Sequence, residues 1–435
     1  VNGEDHTPGE KASMKREDQT AKEERTPMTQ GDQTLLRLLP VQGRWCLHSY
    51  YTVCPYAPDG SGRLLAAGVD PAHGAGEVLV LSREGEVLDR FGRQPVEKTA
   101  FYHTGFWQTW SPDARYVYYQ AGTWDAPRVV RRELATGHEQ SMEGDAEGAP
   151  PNGEPLISGL LGMLYAAGYG SGLFRPELSP VLFGDRERHG LFRYSFGPER
   201  SELALSVEEI LRRHPQRDRL LASEQELKRR LGEDESLTLM AYCVRWNPQG
   251  DRLLFYFGNH HVVPSRGEPR LGYVFTSDRE LRELHLAVDL SYGRWGVHWS
   301  WHPDGEHLIG YGPEHDDGSG HCLAMVKYDG TGYRKISSHQ SGGHPSVCPA
   351  DFNLVVTDTY GDTGELTFID IRTDTVLKQI SLPRKYGERP ARGKNPYWVD
   401  LHPVFSPDGR YVLVNCFQEN GLSALAELDV REALG

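Results

Sequence analysis

The chain has 435 residues, 38% of them hydrophobic and 10% aromatic, with 48 Gly and 28 Pro; that composition suits a large core joined by many tight turns. A formal net charge of −14 argues against nucleic acid as the main partner, because a basic footprint would be expected. No run approaches the ~18 consecutive apolar residues of a membrane span, so no membrane partner is expected.

Residues 1–32 are rich in charge and poor in large apolar side chains, and they read as a disordered tail. No apolar stretch follows Met14, the first methionine, so nothing there resembles a secretory signal. The six cysteines, Cys46, Cys54, Cys243, Cys322, Cys348 and Cys416, form no C-x-x-C pair and mostly sit in strand-like runs. Buried free thiols in a reducing compartment fit that pattern, and a cytoplasmic location is expected.

From residue 33 onward one pattern recurs: an aromatic or small residue, Pro-Asp-Gly or a near variant, then an apolar strand. It occurs at Pro58 (YAPDGSGRLLAAG), Pro112 (WSPDARYVYYQ), Pro248 (WNPQGDRLLFYFG), Pro303 (WHPDGEHLIGYG), Pro349 (CPADFNLVVTD) and Pro407 (FSPDGRYVLVN). Proline presets φ for a turn, Asp bonds back to its own backbone and Gly accepts a positive φ, as a hairpin between short strands requires. Successive prolines lie 54, 136, 55, 46 and 58 residues apart, so the long gap holds one unit without the signature, near 152–236. Seven units of about four strands each predict an all-β fold, a seven-bladed β-propeller over 33–435. A small helical insertion is expected at about 206–233, where Ser206 and Glu209 form a capping box. Val207, Ile210 and Leu211 keep helical spacing, and Leu220, Leu227 and Leu231 form a second apolar stripe. Residues 33–42 are expected to add a strand to the last blade and close the ring.

The turn prolines also serve as a ruler. Five residues before Pro303, Pro349 and Pro407 stand His298, His344 and His402, whereas Val53, Trp107 and Cys243 occupy the equivalent positions elsewhere. On innermost strands, three imidazoles in register converge at one mouth of the channel and suit a divalent metal with open positions. A repeated His that only packs between blades is the plainer reading. By the same counting, Arg245, Arg294, Gln340, His48 and His103 fall near that face, with Asn259, His260 and His261 after the strand that follows Pro248. Tyr165 and Tyr169 could line the same mouth, and a basic loop at 384–395 leads to His402. The Asp residues of the turns read as turn formers.

Residues 45–432 resemble the oligogalacturonate lyases, polysaccharide lyase family 22. The likeness is carried by GVHWSWHPDGEHLIGY, GGHPSVCPADFNLVVTDTY and NPYWVDLHPVFSPDGRYVLV. In that family several His and a Gln hold manganese, and a basic residue removes the C5 proton of a uronate. The resemblance implies a divalent metal, manganese by analogy, on His298, His344, His402 and Gln340. It implies Arg245 or Arg294 as the base or the carboxylate partner, with His103 a third catalytic candidate and His48, Tyr169 and His260 as substrate contacts. The Gly-Gly pair before His344 departs from the family pattern.

The function expected is therefore β-elimination on uronate-containing oligosaccharides. The alternative is a non-catalytic propeller that binds proteins or carbohydrate, which has no need of converging imidazoles. A glycoside hydrolase would require two carboxylates at a defined separation; Asp358 and Asp400 could be imagined in that role, though nothing in the sequence singles them out.

Overall fold

Each Pro-Asp-Gly segment closes the hairpin between the first and second strands of a sheet. In the fifth sheet the Gly305 N–H donates to the His302 carbonyl (2.9 Å), and Asp304 accepts from the Glu306 N–H (2.8 Å). Asp59, Asp113, Asp351 and Asp408 make the same bond two residues on, so the turn aspartates are turn formers. Where the second sheet has Ala in place of Gly, Ala114 takes the same left-handed conformation, φ 54°.

The computed structural model describes residues 35–96, 104–123, 126–159, 179, 181–259, 264–359, 364–382 and 399–435. The tail expected at 1–32 lies outside them. The described strands form seven antiparallel sheets, six of four strands and one of three, arranged as a β-propeller. In chain order the first strands are Trp45–Leu47, Thr109–Trp110, Leu156–Ser158, Met240–Trp246, Val297–Trp301, Ser346–Val347 and Val404–Phe405.

The three-stranded sheet is the unit without the turn signature. After its last strand, Arg200–Ser206, the chain enters helices Val207–Arg213 and Arg217–Leu231. The Ser206 hydroxyl caps the first by accepting from the Glu209 N–H (3.1 Å), while the Glu209 carboxylate turns to Arg212, so only half of the capping box is made. Val207, Ile210, Leu211, Leu220 and Leu227 are buried against Phe255, Phe257, Tyr273 and Phe275 of the fourth sheet. Leu231 is 41% exposed at the end of its helix, so the expected stripe stops one turn early.

The ring closes as expected and on its outer edge: Leu36–Leu39 pairs antiparallel with Ser423–Asp429, Leu36 opposite Leu428. Arg37 adds an ion pair to buried Glu427 (2.5 Å). All six cysteines are unpaired. No helix among the described residues is long and apolar enough to cross a membrane.

Candidate metal and ligand site

In four of the six marked blades the position five residues before the turn proline is a backbone feature as well as a sequence one. Trp107, Cys243, His298 and His402 have φ of 53°, 56°, 59° and 47°. In the fourth and fifth sheets the pairing slips there, between Tyr242 and Arg245 and between Val297 and Ser300. A bulge re-aims its side chain away from the regular alternation of the strand. A left-handed non-glycine residue costs about 1–3 kcal/mol. Its recurrence in four blades marks the position as one the fold holds deliberately.

The three imidazoles come together at the start of their blades. The His298 and His344 rings lie 4.0 Å apart between centroids, and those of His344 and His402 lie 4.3 Å apart. All three are buried. The Nδ1 of His298 meets the carbonyls of Gly342 (3.1 Å) and Gly343 (2.7 Å), that of His344 meets both oxygens of Asp358 (3.0 Å each), and that of His402 meets the Ser49 carbonyl (3.2 Å). Each partner is an acceptor, so each ring carries a proton on Nδ1 and is held by it. Burial, then the neighbouring His344 and Arg245, push the His298 pKa well below the usual imidazole value, and its ring is neutral near pH 7.

Two carboxylates complete this half of the ring. Asp358 also accepts from the backbone N–H of His344 (2.6 Å) and of His402 (3.2 Å), so one buried side chain fixes two of the imidazole-bearing segments. A Cβ on Gly343 would meet the Asp358 carbonyl at 1.8 Å, which explains why glycine precedes His344. Asp400, also buried, places a ligand atom within 4.8 Å of those of His344 and His402. The sequence signal that could have found Asp400 is its place two residues before His402. Asp358 carried no local signal.

Tyr50 and Tyr51 sit against the imidazoles. The Tyr50 ring is 4.8 Å from His402, 5.4 Å from His344 and 5.6 Å from Trp107. The guanidinium of Arg245 lies 5.0 Å from the same Tyr50 ring. It donates to the Trp299 carbonyl and to the Tyr51 hydroxyl (3.2 Å), which in turn donates to the His298 carbonyl (2.6 Å). Arg245 is buried, and no carboxylate among the described residues forms an ion pair with it. Burial works to lower its pKa, but the surrounding Tyr51, Tyr50 and Tyr256 outweigh burial and hold it above the ordinary guanidinium value. Arg245 is therefore a fixed cation.

The other expected residues separate. His48 is fully buried beside His402, 6.2 Å between ring centroids, with its pKa pushed down to about 3 by burial. Arg294 stands near Asp289 (3.5 Å) and donates to the Asp316 carbonyl (3.1 Å). Gln340 is exposed and its amide N–H donates to the His321 carbonyl (2.8 Å). Asn259 is buried and bonds to Glu268 (3.0 Å) and to the Pro269 carbonyl (2.9 Å), which makes it part of its own loop. His103, Tyr165, Tyr169, His260, His261 and the basic loop at 384–395 lie outside the described residues.

No protein-family model and no curated protein matches the chain. Among solved structures it is similar to an oligogalacturonate lyase in complex with manganese, at 17% identity and TM-score 0.58, over 91% of this chain and 92% of that one. It is similar to an oligogalacturonate lyase from Vibrio parahaemolyticus at 15% identity and TM-score 0.61, over 92% and 94%. A structure from a study of two prolyl endopeptidases matches at 9% identity and TM-score 0.50, over 89% of this chain and 48% of that one. At these identities the likeness establishes the propeller fold, in agreement with the resemblance read from the sequence.

Proposed function

We propose that the chain is a metal-dependent lyase that cleaves uronate-containing oligosaccharides by β-elimination. The observation that carries this reading is one wall of pinned imidazoles with Asp400, set across Tyr50 from a buried arginine that has no carboxylate partner among the described residues. Imidazoles with their Nδ1 atoms committed to acceptors and one adjacent carboxylate form a donor set suited to a first-row divalent cation, manganese included. His344, Asp400 and His402 would hold it, with His298 alongside. Such a cation, when bound, supplies Lewis-acid stabilisation for the charge that builds on a uronate carboxylate as its C5 proton leaves.

The chain's own residues supply placement. Arg245, a fixed cation held by Tyr51 and the Trp299 carbonyl, orients the substrate carboxylate by charge-assisted bonds and does not itself take the proton. Tyr50 forms the floor between the cation and the imidazoles and keeps water from both. In the elimination a general base accepts the C5 proton, the C5–H electron pair becomes the C4–C5 double bond, and the glycosidic oxygen leaves C4 with the C4–O bonding pair and takes up a proton from solvent. The fold of the two oligogalacturonate lyases supports the reading.

The test is metal content followed by ultraviolet detection of unsaturated uronate from a panel of uronate oligosaccharides. Wild-type chain should carry stoichiometric divalent metal and release absorbing product, while His344→Ala and His402→Ala lose both. A folded wild type that takes up no metal would overturn the proposal in favour of a non-catalytic scaffold. Metal without product from any uronate would point to another reaction.

A further inference from the structure

A bulge leaves one backbone N–H without its ladder partner, as in the fourth and fifth sheets, and the residue after this position is treated differently from blade to blade. In the sixth and seventh sheets the residues after His344 and His402 are Pro345 and Pro403, which have no N–H to satisfy. In the fifth, the Trp299 N–H donates to the Tyr256 hydroxyl (2.8 Å). In the fourth, the Val244 N–H donates to Glu147. A neutral hydroxyl or a proline does this work elsewhere, so burying a carboxyl, with its larger desolvation cost, calls for a separate reason.

The position of Glu147 supplies one. It lies in the connection from the second sheet to the third, is 3% exposed, and uses its other oxygen to accept from the Gly159 N–H (3.1 Å) at the end of strand Leu156–Ser158. It thus ties the third sheet to the strand that carries Cys243 and Arg245. The ionisable groups facing it are Asp145 from its own connection, Arg245 and Cys243 from the fourth sheet, and Tyr194 from the third. We propose that Glu147 is the positioning residue of Arg245: it pins the bulge beside that arginine and sets how much of the guanidinium charge is left for an anionic ligand. The proposal rests on the reading of Arg245 as the anchor of a ligand carboxylate.

The carboxyl has the right poise for this. Burial is the largest influence, followed by the opposing Val244 N–H; with Asp145 adding to burial against Gly159 and Arg245, its pKa is pushed up to about 8. Protonated, Glu147 leaves Arg245 uncompensated; ionised, it competes with the ligand for the same cation.

The test uses the metal-loaded full chain and D-galacturonate as probe, with calorimetric affinities at roughly pH 6.5 and pH 9. Wild type should weaken by about fivefold or more on the alkaline side, the scale of an ordinary coupling between two sites. Glu147→Gln should change by less than about twofold over the same span; a Gln variant with the full alkaline loss overturns the proposal. If wild type binds no galacturonate at either pH, it is the lyase reading that fails, and Glu147 is judged without ligand. Its proton is retained in the fold and lost on unfolding, so urea stability should fall as pH rises from the ordinary carboxyl range towards about 8. Glu147→Gln should lack that fall, and Arg245→Met should extend it to higher pH. A fall that survives Glu147→Gln, or that Arg245→Met leaves in place, overturns the coupling.

Discussion

The ring of positions five residues before the turn prolines divides into two halves, and the same left-handed backbone occurs in both, at Trp107 and Cys243 in one and at His298 and His402 in the other. Across blades five to seven it presents His298, His344 and His402, each with Nδ1 pinned by a carbonyl or by Asp358. Across blades one, two and four it presents Val53, Trp107 and Cys243, packed against Tyr50 and Tyr51 in one core cluster. Cys243 and His298 differ by only a few degrees in φ, 56° against 59°. The fold therefore supplies a direction at each blade, and the side chain alone decides whether that direction carries ligand chemistry or packing. The polar groups that serve the apolar half, Arg245 and Glu147, come from positions just beside it.

The sharpest way to break this contrast is to remove the shared support of the imidazole half. Asp358→Ala leaves two buried backbone N–H groups and the His344 Nδ1 proton without their acceptor, at a cost of about 3 kcal/mol or more. Urea unfolding and metal content should fall together; a variant with unchanged metal content would show that the imidazoles hold their places without it.

Acid should act next, and on the same half. The His48 pKa is about 3 in the fold against roughly 6.5 unfolded, so the unfolded chain binds the extra proton between those values. Stability contributed by neutral His48 is present above the unfolded value and is lost as pH falls towards about 3. His48→Gln should flatten the acid limb of a stability–pH curve and leave the alkaline limb as it was. The smallest effect belongs to the apolar half: Cys243→Ala should cost about 1–2 kcal/mol in urea unfolding and leave metal content unchanged. Metal lost from that variant would erase the division between the halves.

The repeat was legible because turn chemistry is local. Pro, Asp and Gly each act within four residues, so six hairpins and the spacing of the missing one could be counted directly. The same ruler aligned the three histidines, and Leu36–Leu39 followed from the need to close the ring. Leu231 failed because periodicity sets the face of a helix and does not say where the partner surface ends. For Gln340, nearness in sequence to His344 does not fix the direction of a side chain in a loop, and its amide N–H bonds to the His321 carbonyl. Asp358 and Glu147 were out of reach for a different reason. Each acts on a blade other than its own, at separations of 44 and 97 residues, and nothing local marks a buried acceptor for a distant N–H.

The closure of the ring has a consequence in time. Arg37 and Glu427, joined across the outer edge, are 390 residues apart in the chain. At the centre of the same seam, the His402 ring bonds to the Ser49 carbonyl and the His48 N–H bonds to Asn415 (2.9 Å). A ribosome releases the first blade long before the last exists, so these bonds form only after the seventh blade has been made. The imidazole wall is then the final piece of the propeller to be assembled, and capture of a metal ion would report, chain by chain, that the circle has shut.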